Sequence, residues 1–196
     1  AEVQSGSQLI QMRFRNPSPG IWRIRVYGSN LVNQTYHMWL PISAFVESDT
    51  LFLKSSPDMT ITEPGNAKNP ITAGGYNNLQ NGIYSASGRG YTMDGLIKPE
   101  FASPSVQIIG PNLRNGYSTM TATSVGMAVA AGALAQFFQW GIVQAHQVTM
   151  RTVDAKNYLI RGAKRTDPMQ YPNPLTGWGR LDVYGAFEAL IRDQMF

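Results

Sequence analysis

Ser124 stands at the head of the most apolar stretch of the chain, in Thr121-Ala122-Thr123-Ser124-Val125-Gly126-Met127-Ala128. A serine there has two uses. As an N-cap, it or Thr123 accepts a backbone N–H with its hydroxyl. As a nucleophile, it has its own backbone N–H and the positive end of a helix dipole in place to stabilise an oxyanion. The second use also demands a base, and only His37 and His146 are available. His37 falls in an aromatic-rich segment that reads as a strand, and His146 follows the serine helix. Neither has a supporting context, and both read as structural or surface histidines. The chain contains no cysteine, which removes disulfides, thiolate nucleophiles, Cys-ligated zinc and iron–sulfur clusters. Two histidines and no clustered Asp/Glu loop argue for no metal site and no cofactor.

The elements that would position Ser124 are those of an α/β domain beginning near residue 63. Thr123 to Trp140 has no polar face and is expected to be a helix buried on all sides. Gly126 and Gly132 each cost such a helix roughly 1 kcal/mol relative to Ala, so both are expected to mark a close backbone approach, with Gly132→Leu overpacking it. Asn69 to Tyr76 reads as a short buried strand, and Val106-Gln107-Ile108-Ile109 as a second apolar segment. An amphipathic helix is expected from Val148 to Gly162, with Gly162 as its C-cap glycine, and a last helix from Val183 to Gln194. Residues 1–62 are different. Gln8 to Arg15, Ile21 to Tyr27, Gln34 to Leu40 and Thr50 to Leu53 read as short strands, spaced as in a sandwich or jelly roll. Arg13, Arg15, Arg23 and Arg25 would then line a solvated sheet face. The rings of Trp22 and Trp39 are expected to be buried; with Tyr27 and Tyr36 exposed on a flat face they would instead suggest a glycan-binding module. The expected organisation is therefore 1–62, a partial β insertion, and 63–196, the α/β part.

Composition narrows the partners. Of 196 residues 43% are hydrophobic and 14% charged, enough for a real core and against disorder. The net charge is only +4, and no basic cluster exceeds Lys164-Arg165, which argues against nucleic acid. No apolar run approaches the ~20 residues of a bilayer span, and the first residues lack the pattern of a signal peptide.

Several phrases, in order, resemble the C-terminal half of a subtilisin-like serine protease. Ala122-Thr123-Ser124-Val125-Gly126, with Gly132 eight positions after the serine, is similar to the family's Gly-Thr-Ser-x-Ala and its small-residue helix. Lys98-Pro99-Glu100-Phe101-Ala102-Ser103-Pro104-Ser105 resembles the Lys-Pro-Asp/Glu-x-x-Ala-Pro-Gly loop. Ile71 to Gly75 resembles the Ile-Thr-x-Gly-Ala strand, and Ser85-Ala86-Ser87-Gly88-Arg89-Gly90 the serine/glycine-rich segment after it. Gly177-Trp178-Gly179-Arg180-Leu181-Asp182-Val183-Tyr184-Gly185-Ala186 is similar to the closing Gly-x-Gly-x-(Leu/Ile)-(Asp/Asn)-x-x-x-Ala. The preceding β part, with Gly20-Ile21-Trp22 and His37-Met38-Trp39-Leu40-Pro41, resembles the inserted jelly roll of the clostridial Csp subtilases of spore germination, including the CspC-type pseudoproteases.

The resemblance implies an α/β fold: the C-terminal half of a subtilisin-like parallel sheet, preceded by part of an all-β jelly-roll-like insertion. It places Ser124 at the nucleophile position, with Ala122, Thr123 and Gly126 as motif neighbours. It also implies what is missing, since the family's Asp and His precede the serine and its oxyanion asparagine lies in an Ala-Gly-Asn phrase found nowhere here. The chain is thus expected to be a fragment or cleavage product held by the N-terminal half or prodomain of the same protein as a separate chain, with no nucleic acid and no membrane span among its partners. Ala122, Ser103, Ser105 and Gly126 depart from the family's Gly, Ala, Gly and Ala. On that drift the expectation is a catalytically degenerate pseudoprotease with Ser124 idle, a scaffold in the cortex or coat region of a bacterial spore that binds other germination proteins. The alternative is an active serine endopeptidase that uses Ser124 to activate a cortex-lytic hydrolase zymogen.

Overall fold

The computed structural model describes residues 9–28, 35–47, 49–166 and 168–194. It divides into two compact units, Ala1–Ser55 and Ser56–Phe196.

The second unit is built around a small sheet. Strand β1, Ala73–Asn77, pairs antiparallel with β2, Gly82–Ile83, and parallel with β3, Phe101–Pro104. Beyond β3 the closing glycine-rich segment continues the sheet irregularly. Ala102 donates to the Gly179 carbonyl (2.9 Å), Leu181 donates back to Ala102 (2.7 Å), and Lys164 and Arg180 exchange two bonds. Gly177, with φ +54°, turns where an added Cβ would come within 2.0 Å of the Pro99 carbonyl oxygen, so this turn tolerates only glycine. A separate hairpin of β4, Ile108–Asn112, and β5, Gly116–Met120, stands between β3 and the serine motif. Its base is closed by the Gln107 N–H donating to Thr121 Oγ1 at 2.8 Å. Val106 to Ile109, expected as an apolar segment, is therefore the entry to an exposed hairpin, with Ile109 72% and Tyr117 78% exposed.

Three helices complete the unit: α1, Thr123–Phe138, α2, Thr152–Gly162, and α3, Val183–Gln194. Helix α1 lies on β1 and β3, while α2 and α3 pack on each other. The core joins Phe101 of β3, Ala130, Ala133 and Phe137 of α1, Ala155 and Leu159 of α2, and Ala186 and Leu190 of α3. Phe137 stacks on Phe187 at 4.3 Å.

Four expectations about these helices are corrected. Helix α1 is not buried on all sides: Gly126, Ala130, Ala133 and Phe137 form one buried stripe at helical spacing, whereas Met127, Ala128, Ala131, Gly132 and Ala135 are exposed. A Cβ on Gly132 would meet nothing within 4 Å. One layer of sheet covers one face of a helix, and the described residues offer nothing to cover the other. Extended by a wider turn to Val143, the helix is 21 residues long with mean hydropathy 1.3, long and apolar enough to cross a membrane. That departs from the expectation of no such segment, yet its periodic stripe on β1 and β3 is that of a domain helix. Gly162 is likewise not a left-handed C-cap. It ends α2 before Ala163, φ −56°, and is glycine because a Cβ would lie 2.1 Å from the Ala186 nitrogen. Helix α2 starts at Thr152 rather than Val148 because the Asp154 carboxylate accepts the Arg151 N–H at 2.9 Å.

In the first unit the only regular element among the described residues is a single 3₁₀ turn, Ser43–Phe45. The expected strands through Met12, Ile24, His37 and Phe52 form no ladder there. Gln8 and Gln34, which begin two of them, lie outside the described residues. Trp22 and Trp39, expected to be buried, are 56% and 52% exposed. Phe14 meets Trp22 edge-on at 5.1 Å and His37 lies 5.6 Å from Trp39, local contacts that do not replace a second sheet.

Candidate active site

Ser124 is exposed in the first turn of α1. Ala122, the N-cap, is extended at φ −170°, ψ 160°, a conformation open to any L-residue. Alanine in place of the family's glycine thus carries no backbone strain. The first intrahelical bond runs from the Gly126 N–H to the Ala122 carbonyl at 3.3 Å. The N–H groups of Thr123, Ser124 and Val125 precede it and have no intrahelical acceptor. They converge at the positive end of the helix dipole, with no acidic side chain in the first turn. A hydroxyl beside orphan amides is an arrangement suited to a nucleophile whose own N–H donates to an oxyanion. Neither Thr123 nor Ser124 acts as a side-chain cap.

Strand β3 and the residue after it hold this turn in place. Ser105 is fully buried. Its N–H donates to the Tyr76 carbonyl at 3.1 Å, and its own carbonyl accepts the Ala122 N–H at 3.0 Å. Its hydroxyl donates to the Ser103 carbonyl at 3.1 Å. A Cβ added to Gly126 would stand 2.2 Å from Ser105 Oγ. Two departures from the family pattern, Ser for Gly at 105 and Gly for Ala at 126, therefore exchange volume across one contact. Ser103, the remaining departure, is also fully buried, and its Oγ has no hydrogen-bond partner.

Below the strand, Lys98 is 2% exposed. Its Nζ is 2.6 Å from Glu100 Oε1 and donates to the Pro70 carbonyl at 2.6 Å. Glu100 also accepts the Thr72 N–H at 2.8 Å and faces Lys156 at 3.5 Å. Every polar end is matched, as a buried ion pair requires. The Lys-Pro-Glu phrase therefore fastens β3 to the chain before β1; it is structural rather than catalytic. Ser87, from the serine/glycine-rich segment, accepts the Gly75 N–H at 2.9 Å and so supports β1. Tyr76 beside it has its hydroxyl pKa raised by burial, an effect opposed by the Arg180 guanidinium 5.0 Å over its ring.

Among the described residues of the second unit, no histidine is brought to Ser124. His146 stacks on Trp140 at 4.8 Å, with Nδ1 2.9 Å from the Trp140 carbonyl. That is beyond the far end of a 16-residue helix, ~24 Å along its axis. Among the described residues no three His, Asp or Glu side chains are grouped as metal ligands.

A small mixed sheet, a helix bearing an exposed serine at its N-terminus and a closing glycine-rich segment make up part of a subtilisin-like α/β fold. The family model described as the subtilase family, peptidase S8, matches residues 33–179, and the chain belongs to that family. Among solved structures, the CspB protease of Clostridium perfringens is 34% identical with a TM-score of 0.71, the match covering 74% of this chain and 31% of that one. The prenylagaramide maturation protease PagA shares the fold, with TM-score 0.54 and 18% identity over 68% of this chain and 47% of that one. The C5a peptidase of Streptococcus pyogenes is 32% identical over 93 residues, 47% of this chain and 8% of the relative. The chain thus spans less than a third of the Csp protease and a small fraction of the C5a peptidase.

Proposed function

We propose that this chain is the nucleophile-bearing half of a Csp-type subtilisin-like serine endopeptidase. Ser124 attacks the scissile carbonyl, and its N–H supplies one oxyanion donor. The histidine that takes its proton, the aspartate that orients that histidine and the asparagine that completes the oxyanion hole come from the rest of the subtilase domain. That part, as a separate chain or a longer segment of the same protein, covers the exposed apolar face of α1. The similarity to CspB supports a substrate of the kind the Csp group acts on, a cortex-lytic hydrolase zymogen, and a place in the spore beside other germination proteins.

One observation carries this reading. The serine turn is kept in order by a compensated exchange at Ser105 and Gly126 rather than loosened, which weakens the case for drift. The pseudoprotease scaffold is the second reading. It is favoured by Ser103 Oγ, a buried hydroxyl without a partner immediately behind the serine helix, which costs ~1–3 kcal/mol.

Fluorophosphonate labelling of the protein with its complete subtilase domain separates the two. The expected result is one label per molecule, lost in Ser124→Ala together with zymogen cleavage. A folded protein that takes no label, with germination function intact in spores carrying Ser124→Ala, establishes the scaffold instead.

A further inference from the structure

The Ser105 hydroxymethyl group sits between two glycines of different elements. A Cβ on Gly126 of α1 would lie 2.2 Å from Ser105 Oγ, and one on Gly75 of β1 would lie 2.8 Å from Oγ and 3.1 Å from Ser105 Cβ. The same residue is bonded through its backbone to Tyr76 on β1 and to Ala122 at the helix entrance. Ser105 therefore grips the serine turn twice: by its carbonyl two residues before Ser124, and by its side chain two residues after. Both grips are rigid. The residue is fully buried, and its Oγ is held by the Ser103 carbonyl at 3.1 Å.

From this we infer that Ser105 is a positioning residue for Ser124. Its side chain fills the notch that Gly126 and Gly75 leave, sets how closely the first turn of α1 approaches β3, and so sets the reach of the Ser124 hydroxyl and the direction of its N–H. The inference deepens the reading of Ser124 as a nucleophile and rests on it. Nothing is transferred through Ser105 itself; a displacement of about 1 Å in a reacting group costs on the order of 10²-fold in rate, and a side chain wedged between strand and helix controls a displacement of that size.

The test is a four-protein cycle on the protein with its complete subtilase domain: parent, Gly126→Ala, Ser105→Gly and the double variant. Ser105→Ala is added as the conservative change that keeps the Cβ. The rate of fluorophosphonate labelling is measured at a temperature where circular dichroism shows every variant folded, so that lost stability alone cannot lower it. Gly126→Ala should slow labelling on the order of 10²-fold, the double variant should return most of that rate, and Ser105→Ala, which keeps the Cβ but loses the Oγ that meets Gly126, should fall between the parent and Gly126→Ala. Labelling unchanged in folded Gly126→Ala, or a double variant no faster than Gly126→Ala, overturns the inference. A parent that takes no label defeats the nucleophile reading, and amide exchange at Ala122 and Gly126 in the same proteins then decides on Ser105. Non-additive protection across the cycle upholds the double grip, and additive changes refute it.

Discussion

Residues 9–55 and 56–196 are both rich in apolar residues and reach opposite outcomes. In the second unit Phe101 and Phe137 are completely buried; in the first, Ile21 is 75% and Phe45 78% exposed. The strict alternation from Ile21 to Tyr27 is the better strand signal, yet no ladder forms there, while Ala73-Gly74-Gly75-Tyr76, half of it glycine, pairs along its whole length with β3 and at Tyr76 with β2 as well. The difference teaches that a strand belongs to a pair and not to a segment. Alternation says which face a strand would bury; an edge with free N–H and C=O groups decides whether it forms. Strand β1 has two such edges beside it, and Ile21 to Tyr27 has none among the described residues of its unit.

The largest effect that can break this comparison is core truncation. Phe137→Ala removes a ring packed against Phe187 and Tyr158 and should cost ~3–5 kcal/mol in urea denaturation. Phe45→Ala in the same chain should stay within ~0.5 kcal/mol. Equal losses would mean that the first unit has a core of its own. Repeating Phe45→Ala in a protein with the complete domain sharpens the result: a cost that appears only there identifies Phe45 as part of an insertion completed by residues outside this chain.

The same contrast explains what the sequence made legible. All three helices were expected within a few residues, because the apolar runs and amphipathic stretches that mark them are local. The serine motif and the closing Gly-x-Gly phrase were legible as resemblance. Strand β3 was not, since four residues, Phe-Ala-Ser-Pro, are too few for a period and end in proline. Which face of α1 is buried was hidden for the opposite reason: a helix apolar all round has no stripe to see. The exchange between Ser105 and Gly126 looked like two unrelated departures because only the strand-to-helix contact shows that they share one volume. The Lys98–Glu100–Lys156 cluster was missed in the same way, its members coming together only when α2 folds over the end of β3.

Two glycines sharpen the comparison at intermediate size. In Gly162→Ala the new Cβ meets the Ala186 backbone nitrogen at 2.1 Å, forcing α2 and α3 apart at a loss of at least the ~1–3 kcal/mol of an overpacked contact. In Gly132→Ala the methyl enters open space on α1, so this chain alone should gain ~1 kcal/mol from helix propensity. Melting followed by circular dichroism reads the opposite signs directly. Loss of the Gly132→Ala gain when the remainder of the subtilase domain is bound locates the covering surface on that face of α1, and a gain that persists there places the cover elsewhere.

The smallest effect lies at the start of α2. The Asp154 carboxylate accepts the Arg151 N–H at 2.9 Å and faces the Arg151 guanidinium at 3.3 Å. The backbone hydrogen bond first, and the guanidinium second, hold its pKa below the ordinary aspartate value. A folded-state pKa below the unfolded one adds stability that is fully present above the unfolded value, ~3.9, and is lost as pH falls through the folded value. Lowering the pH through that window should therefore lower the protection factor of the amide of Arg151, the N-cap of α2, while the core amides of β1 and β3 stay protected. Asp154→Asn should remove the pH dependence at that amide. The carboxylate is partly exposed, outside the core, so the change should be confined to the first turn of α2. An acid transition that takes the whole second unit at once would show that the cap is coupled to the core, and that the unit's stability is less evenly spread than its packing implies.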